Sequence, residues 1–336
     1  MRILGIACST GVTLALAVAA CGDSGDTPAA SGAGAATKAK DYRIALVAGN
    51  LSDPYWQTFQ CGAMKRAKEL GATLKAYVSA TSSAQEIATS FNAAVLSKPD
   101  AISYSPFQAG QFSAQVKSMM RKGVPVATSQ ALEPDTSYVT VRSTNDGGPY
   151  ADFAIKLAGS SGKVVAMGGI AGSAPLKQRY EPLLAAIKKA SPGITFLPTQ
   201  YTNFDINKTA QTASSLMLAH PDLKLIIAST GPEGQGVAAA VKQAKKQGKV
   251  KVMSFDAVPA EVQALKQGTI QGLIAQTPEK IGAQQVTEVV NYLKAHPNGG
   301  PVSPVEPKQL PLKLITQDNV DDPEVQAWMY KSSCDA

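Results

Sequence analysis

Residues 44–56 read Ile44-Ala45-Leu46-Val47-Ala48, then Gly49-Asn50-Leu51-Ser52, then Asp53-Pro54-Tyr55-Trp56, and a helical pattern continues to about Leu70. An apolar run without polar alternation reads as a strand buried on both faces. Asp53-Pro54 reads as a helix start, an oxygen-bearing cap followed by a proline in the first turn. The same unit then recurs. Thr73 to Tyr77 reads as a strand, Ala84 to Leu96 as a helix, Ala101 to Tyr104 as a strand and Gly110 to Arg121 as a helix. Val124 to Ala127 and Ser137 to Val141 read as further strands. Strands alternating with helices imply right-handed crossovers and a parallel sheet covered on both faces.

The rhythm starts again at Lys163 to Met167. Helices are expected over Pro175 to Ala190, Lys208 to Leu218, Gly234 to Gln247 and Ala260 to Gln267. Between and after them lie strands Thr195 to Leu197, Leu225 to Ala228, Lys251 to Ser254 and Ile270 to Ala275. A long amphipathic helix from about Pro278 to His296 closes the series. The chain from Asp41 is long enough for two domains. The expected fold class is therefore α/β, two doubly wound parallel-sheet lobes of one design. Open sheets of this kind bind ligands beyond the carboxyl ends of their strands, so two facing sheets enclose a cleft.

The first twenty residues carry Arg2, an apolar run from Ile3 and small residues up to Ala20. That pattern is a secretory signal and too short for a spanning helix with such flanks. Val18-Ala19-Ala20-Cys21 resembles the bacterial lipobox, which makes Cys21 the expected lipid attachment site and membrane anchor; the alternative is ordinary cleavage with Cys21 left free. Residues 21–40 are mostly Gly, Ala, Ser and Thr, with too little apolar surface to offset ordering entropy, and read as a flexible tether. The expected location is outside the cytoplasm, lipid-anchored on the outer side of the cell membrane or periplasmic.

Of four cysteines, Cys8 leaves with the signal and Cys21 goes to lipid. Cys61 and Cys334 remain, and in an exported protein an even remainder points to a disulfide, with two free thiols as the alternative. The bond would staple the C-terminal tail onto the first lobe. The net charge is +7, with lysines scattered along helical faces. Nucleic-acid recognition, which concentrates basic residues on one face, is not indicated.

The loops after the strands gather Asp53-Pro54-Tyr55-Trp56, Ser105-Pro106 and Ser129-Gln130 from the first half. The second half supplies Arg179, Asn203-Phe204-Asp205, Thr230, Asp256 and Gln276. Rings that cover C–H faces, together with carboxylates and amides that take hydroxyl protons, suit a neutral hydroxyl-rich small molecule. Each residue also has a plain structural reading. Tyr55 and Trp56 can be core, Asp53 an N-cap, Asp256 a turn cap, and Arg179 a partner of Glu181 or Asp205. Gly234-Gln235-Gly236 lacks the third glycine and acidic follower of a dinucleotide fingerprint and reads as a tight helix entry.

At these residues the chain resembles the pentose and hexose binding proteins of bacterial ABC importers, the ribose-binding type of periplasmic binding protein. The marks are Asp53 to Trp56, Gly169-Ile170-Ala171-Gly172 with Arg179 downstream, Asn203-Phe204-Asp205, Ser254-Phe255-Asp256, and Ala275 to Pro278 with Ile281-Gly282. The resemblance implies a type I periplasmic binding protein whose lobes join through a three-strand hinge, with crossings near Ser143, Gln276 and Ser303. It divides the chain into an N-terminal lobe, 41–143 plus 277–302, and a C-terminal lobe, 144–276 plus 303–320. Residues 321–336 would form a tail on the N-terminal lobe. It also implies sugar contacts from Asp53, Tyr55, Trp56, Arg179, Phe204, Thr230, Asp256 and Gln276. The ribose-type proteins carry an Asp-Arg pair after the fourth strand where this chain has Gln130-Ala131, and an Asn where it has Thr230. Gln130 is counted with the ligand set, and the expected ligand is a sugar or polyol other than ribose, with a nucleoside or aromatic compound as the alternative.

Catalysis finds no support in the sequence. His220 and His296 both precede proline at helix ends, and there is no nucleophile elbow, P-loop or metal-spaced cluster. The expectation is a monomeric receptor with no cofactor and no metal, whose partners are a small-molecule ligand, an ABC permease and the membrane through its lipid. A sensory receptor that hands its closed form to a signalling protein is the second reading.

Overall fold

In the computed structural model, which describes residues 41–81, 83–108, 110–129, 137–144 and 146–334, the alternation resolves into two six-stranded sheets. The export signal, Cys21, the tether, Gln130 and Ala131 lie outside the described residues. The first lobe runs β1 (Arg43–Ala48), α1 (Pro54–Glu69), β2 (Thr73–Val78), α2 (Ala84–Leu96), β3 (Ala101–Tyr104), α3 (Ser113–Arg121), β4 (Val126–Thr128) and β5 (Val139–Ser143). The second begins with α4 (Ala151–Ala158), β6 (Ser161–Met167), α5 (Ala174–Ala190), β7 (Gly193–Phe196) and α6 (Ile206–Ala219). It continues with β8 (Leu223–Ala228), α7 (Gly231–Gln243), β9 (Lys251–Phe255), α8 (Pro259–Lys266) and β10 (Gly272–Ala275). Then come α9 (Pro278–Ala295), β11 (Lys308–Leu310), β12 (Lys313–Ile315) and the single-turn α10 (Pro323–Gln326).

Both sheets have the same strand order. The first is β2-β1-β3-β4-β5-β11 and the second β7-β6-β8-β9-β10-β12. All pairings are parallel except β10 with β12. The order in which successive strands are laid across the sheet reverses between β1 and β3 and again between β6 and β8, which places a crevice at the carboxyl end of each sheet. The strands there are buried on both faces, as their continuous apolar runs require.

Three crossings join the lobes: between β5 and α4, at Gln276–Thr277 between β10 and α9, and at Pro311–Leu312 between β11 and β12. Helix α9 returns to the first lobe and lies against α1. Bare glycines permit that approach: a Cβ on Gly62 would stand 2.0 Å from the Glu279 carbonyl oxygen, and one on Gly282 2.2 Å from that of Phe59. At the first crossing, the amide of Gly147 donates to the Gln178 carbonyl at 3.2 Å. Within α5 that carbonyl would normally accept from residue 182, which is a proline and has no N–H. The crossing is thereby tied to the turn of α5 that carries Arg179.

Three features differ from the sequence reading. The third crossing lies past Ser303: Lys308–Leu310 pairs with β5, so this stretch extends the first sheet instead of the second. Strands of three residues carry too little periodicity to be assigned to a sheet. The tail does not start on the first lobe. Asp321 pairs with Lys266 at 2.5 Å and Glu324 with Lys313 at 3.2 Å, because β12 delivers the chain to the edge of the second sheet. The tail reaches α1 at Tyr330, whose ring meets that of Tyr55, and beyond it Cys334 is joined to Cys61 with an S–S distance of 2.07 Å. Finally, α7 opens at Gly231, so Gly234 lies within it; a Cβ there would meet the Glu261 carboxylate.

Candidate ligand-binding cleft

The carboxyl ends of the two sheets line one cavity of about 710 Å³. From the first lobe come Asn50, Asp53, Tyr55, Trp56 and the Ser105 to Phe107 loop; from the second, Arg179, Phe204, Thr230 and Asp256, with Gln276 at the crossing.

Asp53 is the N-cap of α1. Its Oδ1 accepts from the Tyr55 amide at 2.9 Å, and Pro54 occupies the first turn, where a missing N–H costs nothing. Capping and lining the cavity are thus one placement: the helix dipole and amides hold the carboxylate at the cleft wall. Burial nevertheless pushes its pKa up to about 6, against the lowering pull of the Tyr55 amide, with Asp256 raising it further and Arg179 lowering it. Tyr55 and Trp56 follow on the same turn with ring centroids 4.8 Å apart, edge to face. Trp56 also meets Phe59 at 5.8 Å and Phe107 at 5.6 Å. Both readings of the pair hold: the rings are buried and packed, and both line the cavity.

The second lobe's wall is polar. Asp256 closes β9 with φ +83°, a left-handed conformation that non-glycine residues seldom adopt and that costs about 1–3 kcal/mol. Its neighbours fix it there. Oδ1 accepts from Gln276 Nε2 at 2.7 Å and from the Tyr330 hydroxyl at 2.9 Å; Oδ2 accepts from the Gly231 amide at 3.2 Å and faces Arg179 Nη1 at 3.6 Å. A carboxylate has about four lone-pair sites and three are taken by these hydrogen bonds, so Asp256 keeps one site for a ligand hydroxyl. Arg179 is buried too; its Nη1 donates to the Ser229 carbonyl at 2.8 Å and its guanidinium lies 5.4 Å from the Phe255 ring. It meets neither Glu181, which pairs with Lys177, nor Asp205, which caps α6 through the Lys208 amide.

Phe204 reaches the cavity through a left-handed pair, Asn203 at φ +55° and Phe204 at φ +63°. Glu233, fully buried on α7, supports that loop: it accepts from the Phe204 amide at 3.2 Å, from Thr202 Oγ1 at 3.1 Å and from the Thr230 hydroxyl. Burial outweighs these donors and lifts the Glu233 pKa to about 7. Glu261, on α8, is pushed well above the usual range by burial, opposed by the Ser254 hydroxyl 2.6 Å away. Thr230 therefore lines the cleft with its hydroxyl turned to Glu233.

The structure brings together Asp53, Tyr55, Trp56, Arg179, Phe204, Thr230, Asp256 and Gln276. Gln130 lies outside the described residues. Sequence reasoning stopped one residue short of Phe107, next to the Ser105-Pro106 pair it did use. It missed Ile170 and Leu176 on the second lobe, and Tyr330 and Ser332 of the tail, where no periodicity marks a site. Among the described residues no group of three His, Cys, Asp or Glu could hold a metal, and neither histidine lines the cavity. The arrangement can accept hydroxyl protons, donate from a guanidinium and an amide, and cover an apolar ring face.

The family described as periplasmic binding protein domain matches residues 44–297. The ribose import binding protein of Salmonella typhimurium is 30% identical over 259 residues, which cover 76% of this chain and 86% of that protein. The D-allose-binding periplasmic protein of Escherichia coli is 27% identical over 82% of this chain and 90% of its own length. Among solved structures, an ABC transporter solute binding protein from Agrobacterium vitis bound with alpha-D-tagatopyranose superposes with a TM-score of 0.77 at 28% identity, covering 87% of this chain and 100% of that one.

Proposed function

This chain belongs to the periplasmic binding protein family, and we propose that within it the chain is the exported receptor of an ABC importer, capturing a sugar or polyol other than ribose. The observation that carries the reading is one cavity walled by Asp53, Tyr55 and Trp56 on one sheet and by Arg179, Phe204 and Asp256 on the other. A ligand touching both walls stabilises the closed arrangement, since only differential affinity shifts a hinge equilibrium. The closed form is then what a membrane permease would recognise. Sugar-binding relatives support the ligand class. Thr230 supports the exception of ribose: its hydroxyl is committed to Glu233, where the ribose-type proteins carry an amide. Cys21 would hold the protein to the membrane through acyl chains, each buried methylene contributing about 0.8 kcal/mol.

A thermal-shift screen of the chain from Gly22 against pentoses, hexoses, polyols, nucleosides and aromatic acids tests the reading. A ligand at a hundred times its Kd adds about 2.7 kcal/mol to stability. A clear rise with one sugar or polyol other than ribose supports it; a rise with ribose overturns that exception, and a rise only with a nucleoside or aromatic acid overturns the substrate class.

A further inference from the structure

The tail beyond β12 crosses from one lobe to the other within two residues. The Tyr330 amide donates to the Ala257 carbonyl of the second lobe at 3.0 Å. The next amide, Lys331, donates to Thr58 Oγ1 on α1 at 2.7 Å, and Lys331 Nζ pairs with Glu279 at 3.0 Å. Three residues later Cys334 is covalently bound to Cys61 of α1. The tail therefore makes a fourth connection between the lobes, beside the Gln276 crossing.

This connection carries a side chain into the binding wall. Tyr330 is buried, its ring 5.8 Å from that of Tyr55. Its hydroxyl donates to Asp256 Oδ1 at 2.9 Å and accepts from the Gln276 backbone amide at 3.2 Å. One phenol thus joins the strained acceptor, the crossing strand and, through ring contact, the aromatic wall. Ser332 lines the cavity itself. We infer that the C-terminal tail is a working part of the ligand site: Tyr330 is a positioning residue that holds Asp256 as an acceptor, and the Cys61–Cys334 bond is the fastener that keeps Tyr330 there.

The inference rests on the cleft being the ligand site proposed above, and the test keeps the two apart. Three proteins beginning at Gly22 are compared: the unaltered chain, Tyr330→Phe, and the double variant Cys61→Ser, Cys334→Ser. In the absence of ligand, hydrogen exchange at the Gln276 amide is measured, along with the melting midpoint. Affinity is then measured by calorimetry with D-allose, D-tagatose or whichever sugar of the screen binds the unaltered chain.

Tyr330→Phe keeps the ring and removes only the hydroxyl. It is expected to speed exchange at Gln276, to weaken binding about tenfold and to lower the unliganded midpoint by a few degrees. The cysteine double variant is expected to move exchange and affinity the same way, because the released tail no longer fixes Tyr330. Affinity in Tyr330→Phe equal to that of the unaltered chain overturns the positioning role, whatever the exchange rate. Unchanged exchange at Gln276 in the double variant overturns the fastener, even if no sugar in the screen binds. Failure of the unaltered chain to bind any sugar, with exchange accelerated in both variants, counts against the substrate class and supports the tail's hold on the crossing.

Discussion

The two walls of the cleft are built on opposite principles. The first lobe offers a helix start: Asp53 is held by an amide it caps, and the rings of Tyr55, Trp56 and Phe107 brace one another in unstrained backbone. The second lobe offers loop residues in left-handed backbone, Asn203, Phe204 and Asp256, kept there by buried carboxylates and their donors. Among the described residues, every non-glycine cleft residue with positive φ belongs to the second wall. A helix cap needs only local sequence, whereas a left-handed acceptor has to be held by distant groups. The first wall supplies apolar coverage and the second supplies direction.

That contrast can be broken most sharply at Asp256. Asn tolerates left-handed backbone, so Asp256→Asn keeps the shape and removes the charge beside buried Arg179. Losing a charge-assisted acceptor of about 2–3 kcal/mol corresponds to a Kd about a hundredfold higher by calorimetry. An unchanged Kd would make the polar wall structural. Next in size is Trp56→Ala, which removes one face of the aromatic wall; binding is expected to weaken about tenfold to thirtyfold. A loss larger than that of Asp256→Asn would reverse the division of labour.

The pH profile sharpens the comparison further. Asp53 titrates at about 6, so its capacity to accept a ligand hydroxyl fades as pH falls through that value. Calorimetry at pH 7.5 and 5 should show weaker binding at the lower pH, and Asp53→Asn should remove most of the difference. A pH-independent Kd in the unaltered chain would take Asp53 out of the ligand shell. A separate effect concerns stability without ligand. Glu233 has a folded pKa of about 7, above its ordinary 4.5, so the folded state binds the extra proton. Its contribution is present below pH 4.5 and lost as pH rises through about 7, with a limiting slope of about 1.4 kcal/mol per pH unit. Melting midpoints of the unaltered chain and Glu233→Gln should diverge over this window, the unaltered chain losing more as pH rises.

The fold was legible because parallel strands buried on both faces leave continuous apolar runs, as in Leu46-Val47-Ala48 and Leu225 to Ala228. The first wall was legible for the same local reason: Asp53-Pro54 announces a helix, and the residues just after the cap lie at the sheet's edge. The second wall's residues were legible as the loops after its strands, but their ligand roles came through family resemblance, since nothing near Asp256 in sequence announces the donors around it. Glu233 and Glu261 escaped notice because buried carboxylates look like any helical surface acid until their surroundings are known. Lys308–Leu310 was placed with the wrong sheet because three residues at an edge carry no pattern. Tyr330 lies 74 residues from its partner Asp256, a distance no local signal spans.

A single ligand that bridges two unlike walls should draw them together. Small-angle X-ray scattering of the chain from Gly22, with and without a saturating sugar found by the thermal screen, tests it most directly. A smaller radius of gyration is expected on binding, with the sugar concentration at half-closure raised in Trp56→Ala and raised further in Asp256→Asn. A bound sugar that leaves the radius unchanged, or a half-closure concentration that neither substitution moves, would overturn the bridging model.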